Sequence, residues 1–361
     1  MNIILFGGAF DPFHEGHLLM MEEALKSIGG KGILIPAKIS VWKREATPAN
    51  VKIDLIKLAI KDRKDIEIST FEIDNNCDTT YSIDTVKHFK KLYPKDNLYY
   101  LIGLDQVNSF HLWKSAEEIS QLVQLVYFTR PEIVENTFNI NKYHIQRIES
   151  NFSSKASSTE IRKFQNLYLN YDQIKYIEEN SLYYIPKIRS YLSLKRFNHS
   201  KEVANLAYKI AESNNYSHPE YAYIAGLLHD IGKEVSLDKT LSIMNDNYNE
   251  YKDLPLSIIH QFVGAHIAKN DFCIDKEEII QAIEFHASGK ANMTRLGKII
   301  YASDKIEPTR GFDSSDLIKA MLEDDEKGFV SVLKANIEFL ESKKLNYNNF
   351  LTKNCIDYYI M

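Results

Sequence analysis

Residues 7–17 read GGAFDPFHEGH, directly behind the apolar run Ile3-Ile4-Leu5-Phe6. A short apolar run that gives way to two glycines, a proline and two histidines reads as a buried strand entering a tight loop. The next stretch, HLLMMEEALKSI over 17–28, has helical spacing. Strand, glycine loop and helix start, in that order, are the parts of an anion cradle. Gly7 and Gly8 let backbone approach a ligand, Pro12 stiffens the turn, and the helix near Gly16-His17 aims its free amides and positive dipole end outward. A metal on His14 and His17 needs at least a third ligand, and the first half of the chain holds no Cys/His cluster.

Working outward, GILIP (32–36), DIEIS (65–69), LYYLIG (98–103) and LVYFT (125–129) repeat the strand pattern, while 51–61, 82–93 and 115–122 carry helical spacing. That alternation predicts an α/β domain with a Rossmann-like parallel sheet, covered on both faces, that binds ligands at the carboxyl ends of its strands. After LYYIPKI (182–188) strand signals nearly vanish and eight amphipathic helical patterns follow. The expected domains are therefore 1–188, α/β, and 189–361, an all-α bundle.

The bulk properties narrow the function classes. A formal net charge of −5 over 361 residues gives no general attraction to nucleic acid or to an anionic membrane. Three cysteines without a CxxC pair fit a reducing compartment, so the expected location is cytoplasmic. The opening residues carry no basic n-region of a signal peptide, and no run approaches the roughly 18 apolar residues that span a bilayer.

SSTEIRK, 157–163, supplies a second anion-type segment. Ser157, Ser158 and Thr159 are N-cap residues, Ile161 starts a buried face, and Arg162 adds a fork of donors suited to phosphate. Alone it is an ordinary capped helix; paired with the first stretch it completes a clamp. The two together resemble the nucleotidyltransferase superfamily, with its (H/T)xGH and SSTxIR motifs. TTYSIDTVKHF (79–89) and LIGLDQVNSFHLWK (101–114) are similar to nicotinate mononucleotide adenylyltransferase over about 1–188. The resemblance implies transfer of AMP from ATP to nicotinate mononucleotide, releasing pyrophosphate, with Mg²⁺ arriving on ATP. It assigns His14 and His17 to the α-phosphate, Lys43 to triphosphate charge, and Ser158, Thr159 and Arg162 to the β and γ groups. Gly7, Gly8 and Phe10 then belong to the nucleotide site, Tyr81 and Trp113 to the surroundings of the pyridine ring, and Asp105 to a ribose or the pyridine mononucleotide.

In the second half, histidines and acids fall on apolar stripes. His199 aligns with Val203, Leu206 and Ile210; His229 follows Ala222 and Ala225; His260 leads to Val263 and Ile267; His286 follows Ile279 and Ala282; Asp304 follows Ile300. An unpaired buried carboxylate is costly, so ligand-type residues from five segments facing one apolar interior point to a shared cation. AGLLHDIGKE (225–234), IIHQFVGAHIAK (258–269), AIEFHASGKANM (282–293) and KIIYASDKIEPTR (298–310) resemble the HD-domain phosphohydrolases, and among them the symmetrical diadenosine tetraphosphate hydrolases. The resemblance implies that His199, His229, Asp230 and Asp304 hold one metal, iron or manganese. His260 and His286 hold a second ion or meet substrate phosphate, Asp230 acts in catalysis, and Lys233 and Arg310 contact phosphate. Two ADP are the implied products, and homo-oligomerisation is left open. The alternatives are a different phosphate acceptor for the first domain and a nucleotide-binding regulatory role for the second.

Overall fold

The computed structural model describes residues 1–38, 47–75, 80–129, 133–150, 154–344 and 349–360. The chain divides into two compact units: Met1–Arg162 with Tyr168–Asn180, and Lys163–Leu167 with the residues from Ser181 onward. The joint expected at 188 lies past this division, inside the short helix Ile185–Arg189 of the second unit.

Among the described residues the first unit is built on six strands: β1 (Asn2–Gly8), β2 (Lys31–Pro36), β3 (Ile66–Ile68), β4 (Asn97–Ile102), β5 (Gln124–Tyr127) and β6 (Gln146–Arg147). They pair in parallel in the order β3-β2-β1-β4-β5-β6. The first five occupy the expected runs. β6 escapes sequence reading because two exposed residues show no alternation. Successive side chains leave a strand on opposite faces, and β1 divides accordingly. Ile3 and Leu5 join a core under the helix Ser82–Leu92, with Ile83, Val86 and Phe89, whereas Ile4 and Phe6 join Met20, Met21 and Ala24 of the helix Glu15–Ile28. Strand order runs outward from β1 through β2 on one side and from β4 on the other. The carboxyl ends of β1 and β4 therefore flank the topological switch point, where such sheets open a crevice.

The second unit is helical. Its main helices are Leu194–Ser213, Pro219–Leu228, Leu237–Asn247, Leu256–Asn270, Glu277–Glu284, Arg295–Ile306, Ser315–Glu323, Asp325–Ser342 and Phe350–Tyr359, the last of them absent from the sequence reading. Two glycines bring three segments together. A Cβ on Gly226 would lie 2.6 Å from Ala204 Cα, and one on Gly232 would lie 2.5 Å from the His260 carbonyl oxygen and 2.6 Å from Gly264 N. Bare backbone at those positions lets the helix carrying His199 close on one side of the His229-Asp230 turn and the helix carrying His260 close on the other. Among the described residues no helix is long and apolar enough to cross a membrane.

Candidate active sites: an anion cleft and a metal centre

At the switch point lies a cleft of about 380 Å³. Gly7, Gly8, Phe10, His14, His17, Asp105, Ser158, Thr159 and Arg162 all line it, together with Gln106 and Ser154, which the sequence reading passed over. His14 is the N-cap of the Glu15–Ile28 helix, so the cleft receives that helix's amino end. The two imidazoles stack with centroids 3.7 Å apart, and the His14 backbone N–H donates to His17 Nδ1 at 3.3 Å. A neutral ring accepting at Nδ1 carries its proton on Nε2, as a donor suited to a phosphate oxygen. Phe13 stacks on His17 at 5.4 Å and Phe10 meets it edge-on at 5.1 Å, which fixes the ring plane.

Two segments far apart in sequence are bolted together here. Arg162 donates to the Asp11 carbonyl and, at 3.1 Å, to Thr159 Oγ1, while its guanidinium lies 3.9 Å from the Asp11 carboxylate. Ser158 Oγ donates to the Pro12 carbonyl at 3.0 Å. Gly7 and Gly8 line the cleft, and packing adds a second reason for them: a Cβ on Gly7 would stand 2.6 Å from the Tyr100 hydroxyl of β4, and one on Gly8 would stand 2.8 Å from the Phe10 ring. Tyr81 and Trp113 are not in the cleft wall. Tyr81 is exposed beneath the Lys114 ammonium, 4.0 Å from the ring centroid, and Trp113 packs edge-on against Tyr100 at 6.3 Å. Lys43 lies outside the described residues.

The second unit gathers His199, His229, Asp230, His260, His286 and Asp304. Their donor atoms form three overlapping triads, each within 4.8 Å: His199-His229-Asp230, His229-His286-Asp304 and Asp230-His260-His286. The tautomers test whether this donor set suits a cation. His229 Nδ1 bonds the Gly226 carbonyl at 2.7 Å and His286 Nδ1 bonds the Ile283 carbonyl at 2.8 Å. Because a carbonyl only accepts, both rings carry a proton on Nδ1, and in its neutral form each ring presents a lone pair at Nε2. His229 Nε2, fully buried, faces the carboxylates of Asp230 and Asp304 at 3.6 Å each, and it makes no hydrogen bond. His286 Nε2 faces Asp230 Oδ1 at 3.5 Å. Acceptors pointed at acceptors in a buried site require a positive charge between them. Imidazole and carboxylate without thiolate suit a divalent transition metal.

The electrostatics agree. Burial pulls His260 down and His286 down to about 3, so both rings are neutral and ready to ligate near pH 7. Burial would lift Asp304, but Lys305 leads the partners, Arg310 among them, that hold its carboxyl well below the usual carboxylate range. Around the cluster, Arg196 pairs with Asp230 at 2.6 Å, Lys233 lies 3.3 Å from the His260 ring nitrogens, Lys305 meets Asp304 at 2.6 Å, and Arg310 reaches Asp304. Arg196, Lys305 and Glu307 are additions to the expected set. Buried Glu307, just past the end of the Arg295–Ile306 helix, holds His199 Nδ1 at 3.0 Å. One local expectation needs correcting. His229, Asp230 and His286 are not on helix faces, since their helices end at Leu228 and Glu284, but in the turns just beyond.

Residues 5–164 match the cytidylyltransferase-like family and residues 196–309 match the HD domain. A Mycoplasma genitalium protein named as a probable nicotinate-nucleotide adenylyltransferase/Ap4A hydrolase is 30% identical over 347 residues, covering 92% of this chain and 97% of its own. A Mycoplasma pneumoniae protein of the same name is 26% identical over 344 residues, covering 92% and 98%. The crystal structure of a predicted HD superfamily hydrolase involved in NAD metabolism from Clostridium acetobutylicum, 34% identical, covers 48% of this chain and 96% of its own, with a TM-score of 0.43. Two family matches in this order, and a relative aligned along nearly its whole length, mean that the chain belongs to the family that joins a nicotinate-nucleotide adenylyltransferase to an Ap4A hydrolase.

Proposed function

We propose that the chain is a bifunctional enzyme. Its sheet unit transfers AMP from ATP to nicotinate mononucleotide, giving nicotinate adenine dinucleotide and pyrophosphate. Its helical unit hydrolyses diadenosine tetraphosphate symmetrically to two ADP. What supports the first activity is the clamp in which Arg162 and Ser158 hold the loop that carries His14 and His17.

In the first reaction a phosphate oxygen of the mononucleotide forms a bond to the α-phosphorus of ATP, and the bond to the pyrophosphate oxygen breaks. The attacking phosphate is already an anion near neutral pH, so no general base is needed, and catalysis is positioning and charge stabilisation. His14 and His17, beside the positive end of a helix, meet the charge that grows on the α-phosphate. Ser158, Thr159 and Arg162 hold the β and γ groups as they leave, Lys43 offsets triphosphate charge, and Mg²⁺ enters with ATP. Asp105 meets a ribose or the mononucleotide.

In the second reaction water adds to an inner phosphorus and the central bridging P–O bond breaks. His199, His229, Asp230 and Asp304 hold a divalent cation, iron or manganese, and His260 and His286 hold a second ion or a substrate phosphate. A cation there supplies a Lewis acid and a lowered pKa for water. Asp230, buried and paired with Arg196 at 2.6 Å, lies among three imidazoles, His229, His260 and His286. Lys233 and Arg310 take phosphate oxygens.

The test is product analysis on the full chain. ATP with nicotinate mononucleotide is expected to give the dinucleotide and pyrophosphate, and diadenosine tetraphosphate is expected to give ADP as its single nucleotide product. Absence of the dinucleotide, or release of AMP with ATP from the tetraphosphate, overturns the corresponding half of the reading.

A further inference from the structure

His260 and His286 come from different segments, yet their Nε2 atoms stand 3.2 Å apart and face Asp230 Oδ1 at 3.2 and 3.5 Å. A ligand set works only when its members are held within about 0.5 Å of their geometry, so two rings this close need a brace behind them. The need is greater for His286, which sits in the turn after the helix Glu277–Glu284 and has no helix of its own to fix it.

Gln261, the neighbour of His260 on the helix Leu256–Asn270, is fully buried and bonds to that turn. Its Oε1 accepts from the backbone N–H of Ala287 at 3.1 Å and of Ser288 at 3.2 Å, the two residues that follow His286. Two N–H donors at one atom settle which end of the amide is oxygen. The other end, Nε2, donates to Ser288 Oγ at 3.0 Å. The single Ser288 hydroxyl proton goes to the Gly289 carbonyl at 2.9 Å, which leaves Oγ as the acceptor for the amide. All three bonds of Gln261 therefore end within two residues of His286. Thr352 Oγ1 donates to the Ser288 carbonyl at 3.0 Å and ties the same point to the helix Phe350–Tyr359.

An apolar side chain of the same length would fill the space and leave the buried Ser288 N–H without this acceptor. The other two imidazoles are braced elsewhere, His199 by Glu307 and His229 by the Gly226 carbonyl. We propose that Gln261 is a positioning residue of the metal centre: it clips the His286 turn to the helix of His260 and so keeps Asp230, His260 and His286 at ligating distance. This inference rests on the reading of the helical unit as a metal-dependent hydrolase and adds the part that sets cation affinity on one side of the cluster.

The test titrates the metal-free full chain with Mn²⁺ and follows the free ion by electron paramagnetic resonance. Methionine at 261 keeps the length and removes all three bonds, whereas glutamate keeps an oxygen toward both N–H donors in either protonation state. Gln261→Met is expected to weaken Mn²⁺ binding about tenfold or more, as outer-shell substitutions do, and Gln261→Glu to restore it. Adenylyl transfer by the same preparations is expected to stay at the wild-type rate. In a His260→Ala background, Gln261→Met is expected to weaken Mn²⁺ binding by a smaller factor, because one of the two rings that it holds together is gone. Unchanged Mn²⁺ affinity in Gln261→Met, or the same loss in both backgrounds, overturns the proposal. Where Gln261→Met does not fold, Ser288→Ala replaces it: the amide then loses its acceptor, weaker Mn²⁺ binding is expected, and wild-type affinity overturns the clip. A wild type that binds Mn²⁺ and releases no ADP from the tetraphosphate sinks the hydrolase reading alone, because Mn²⁺ affinity still decides the role of Gln261.

Discussion

Replacing Glu307 with glutamine isolates the residue that orients His199. In the wild type, Glu307 Oε1 accepts from His199 Nδ1 at 3.0 Å, while Oε2 accepts from the Thr309 backbone N–H at 2.6 Å and both oxygens are within bonding distance of the Thr309 hydroxyl. Two carboxylate oxygens serve two N–H donors. Glutamine has one oxygen, so one donor must lose its acceptor. If the amide NH2 turns toward His199, it favours the tautomer that places the proton on Nε2, the atom that faces Asp304 at 3.1 Å and the cation site beyond. If it turns toward Thr309, it meets a backbone N–H head on. Either arrangement loses a charge-assisted hydrogen bond worth about 1.5–3 kcal/mol, in line with the 10–100-fold loss of metal affinity typical of outer-shell substitutions. The side chain keeps its volume, so the buried site keeps its packing. The assay is competition of the metal-loaded chain against a chelator of known affinity, with adenylyl transfer by the same preparation as the control for integrity. Wild-type metal affinity in Glu307→Gln, alongside loss of metal in His229→Ala, would refute the claim that Glu307 orients His199.

Four further outcomes are expected. His17→Ala should lower nicotinate adenine dinucleotide synthesis by about 10²–10³-fold in an initial-rate assay, as removal of a transition-state donor does, with melting temperature and tetraphosphate hydrolysis unchanged; an unaltered rate refutes the role. Arg162→Lys cannot span the Asp11 carbonyl and Thr159 Oγ1 with one ammonium, so KM for ATP should rise about tenfold or more, and an unchanged KM removes the clamp. Gly232→Ala drives a methyl into the His260 carbonyl and Gly264 N, backbone atoms that cannot yield, and should cost about 3 kcal/mol in denaturant titration together with bound metal; a fully stable, metal-replete variant contradicts the close approach. Burial pushes the Glu72 carboxyl above its usual 4.5, so the folded state holds a proton that the unfolded state has lost. The resulting penalty is absent below pH 4.5 and grows as pH rises through the raised value. Glu72→Gln should therefore melt at or above the wild-type temperature at pH 8, with the difference vanishing near pH 4, and a pH-independent difference argues against it.

The sheet was legible because β1, β2, β4 and β5 are apolar runs bounded by turn residues, a pattern that burial on both faces enforces. The anion cleft was legible for the same reason: a glycine loop at the end of a first parallel strand has one place to go. What sequence could not convey was contact. That Gly7 is bare because of the Tyr100 hydroxyl, and Gly8 because of Phe10, depends on β4 packing and on a local ring position, and neither leaves a periodic trace. The placement of Tyr81 and Trp113 outside the cleft wall has the same origin. Their spacing fits a core aromatic and a ligand-facing one equally well, and only the pairing of Tyr100 with Trp113 separates the two.

The metal cluster shows the limit of periodicity most directly. His229 continues the spacing of Ala222 and Ala225, and His286 continues that of Ile279 and Ala282, so both read as the next position on a helix stripe. Each helix has already ended. The last four carbonyls of a helix lack intrahelical partners, and each histidine uses one of them: His229 Nδ1 bonds Gly226 and His286 Nδ1 bonds Ile283, three residues back in both cases. One bond does two jobs, satisfying an orphan acceptor and fixing the proton on Nδ1, which leaves the Nε2 lone pair directed into the cluster. On a helix face the same carbonyl would be taken by the backbone N–H four residues on, and the ring would need an outer partner from elsewhere, as His199 does with Glu307. The helix ends therefore supply the outer shell of two ligands from backbone alone, whereas of the two mid-helix histidines His199 is held by the Glu307 carboxylate and His260 has Lys233 3.3 Å from its ring nitrogens. The cost of Glu307→Gln should accordingly fall on His199 and leave the other imidazoles in place.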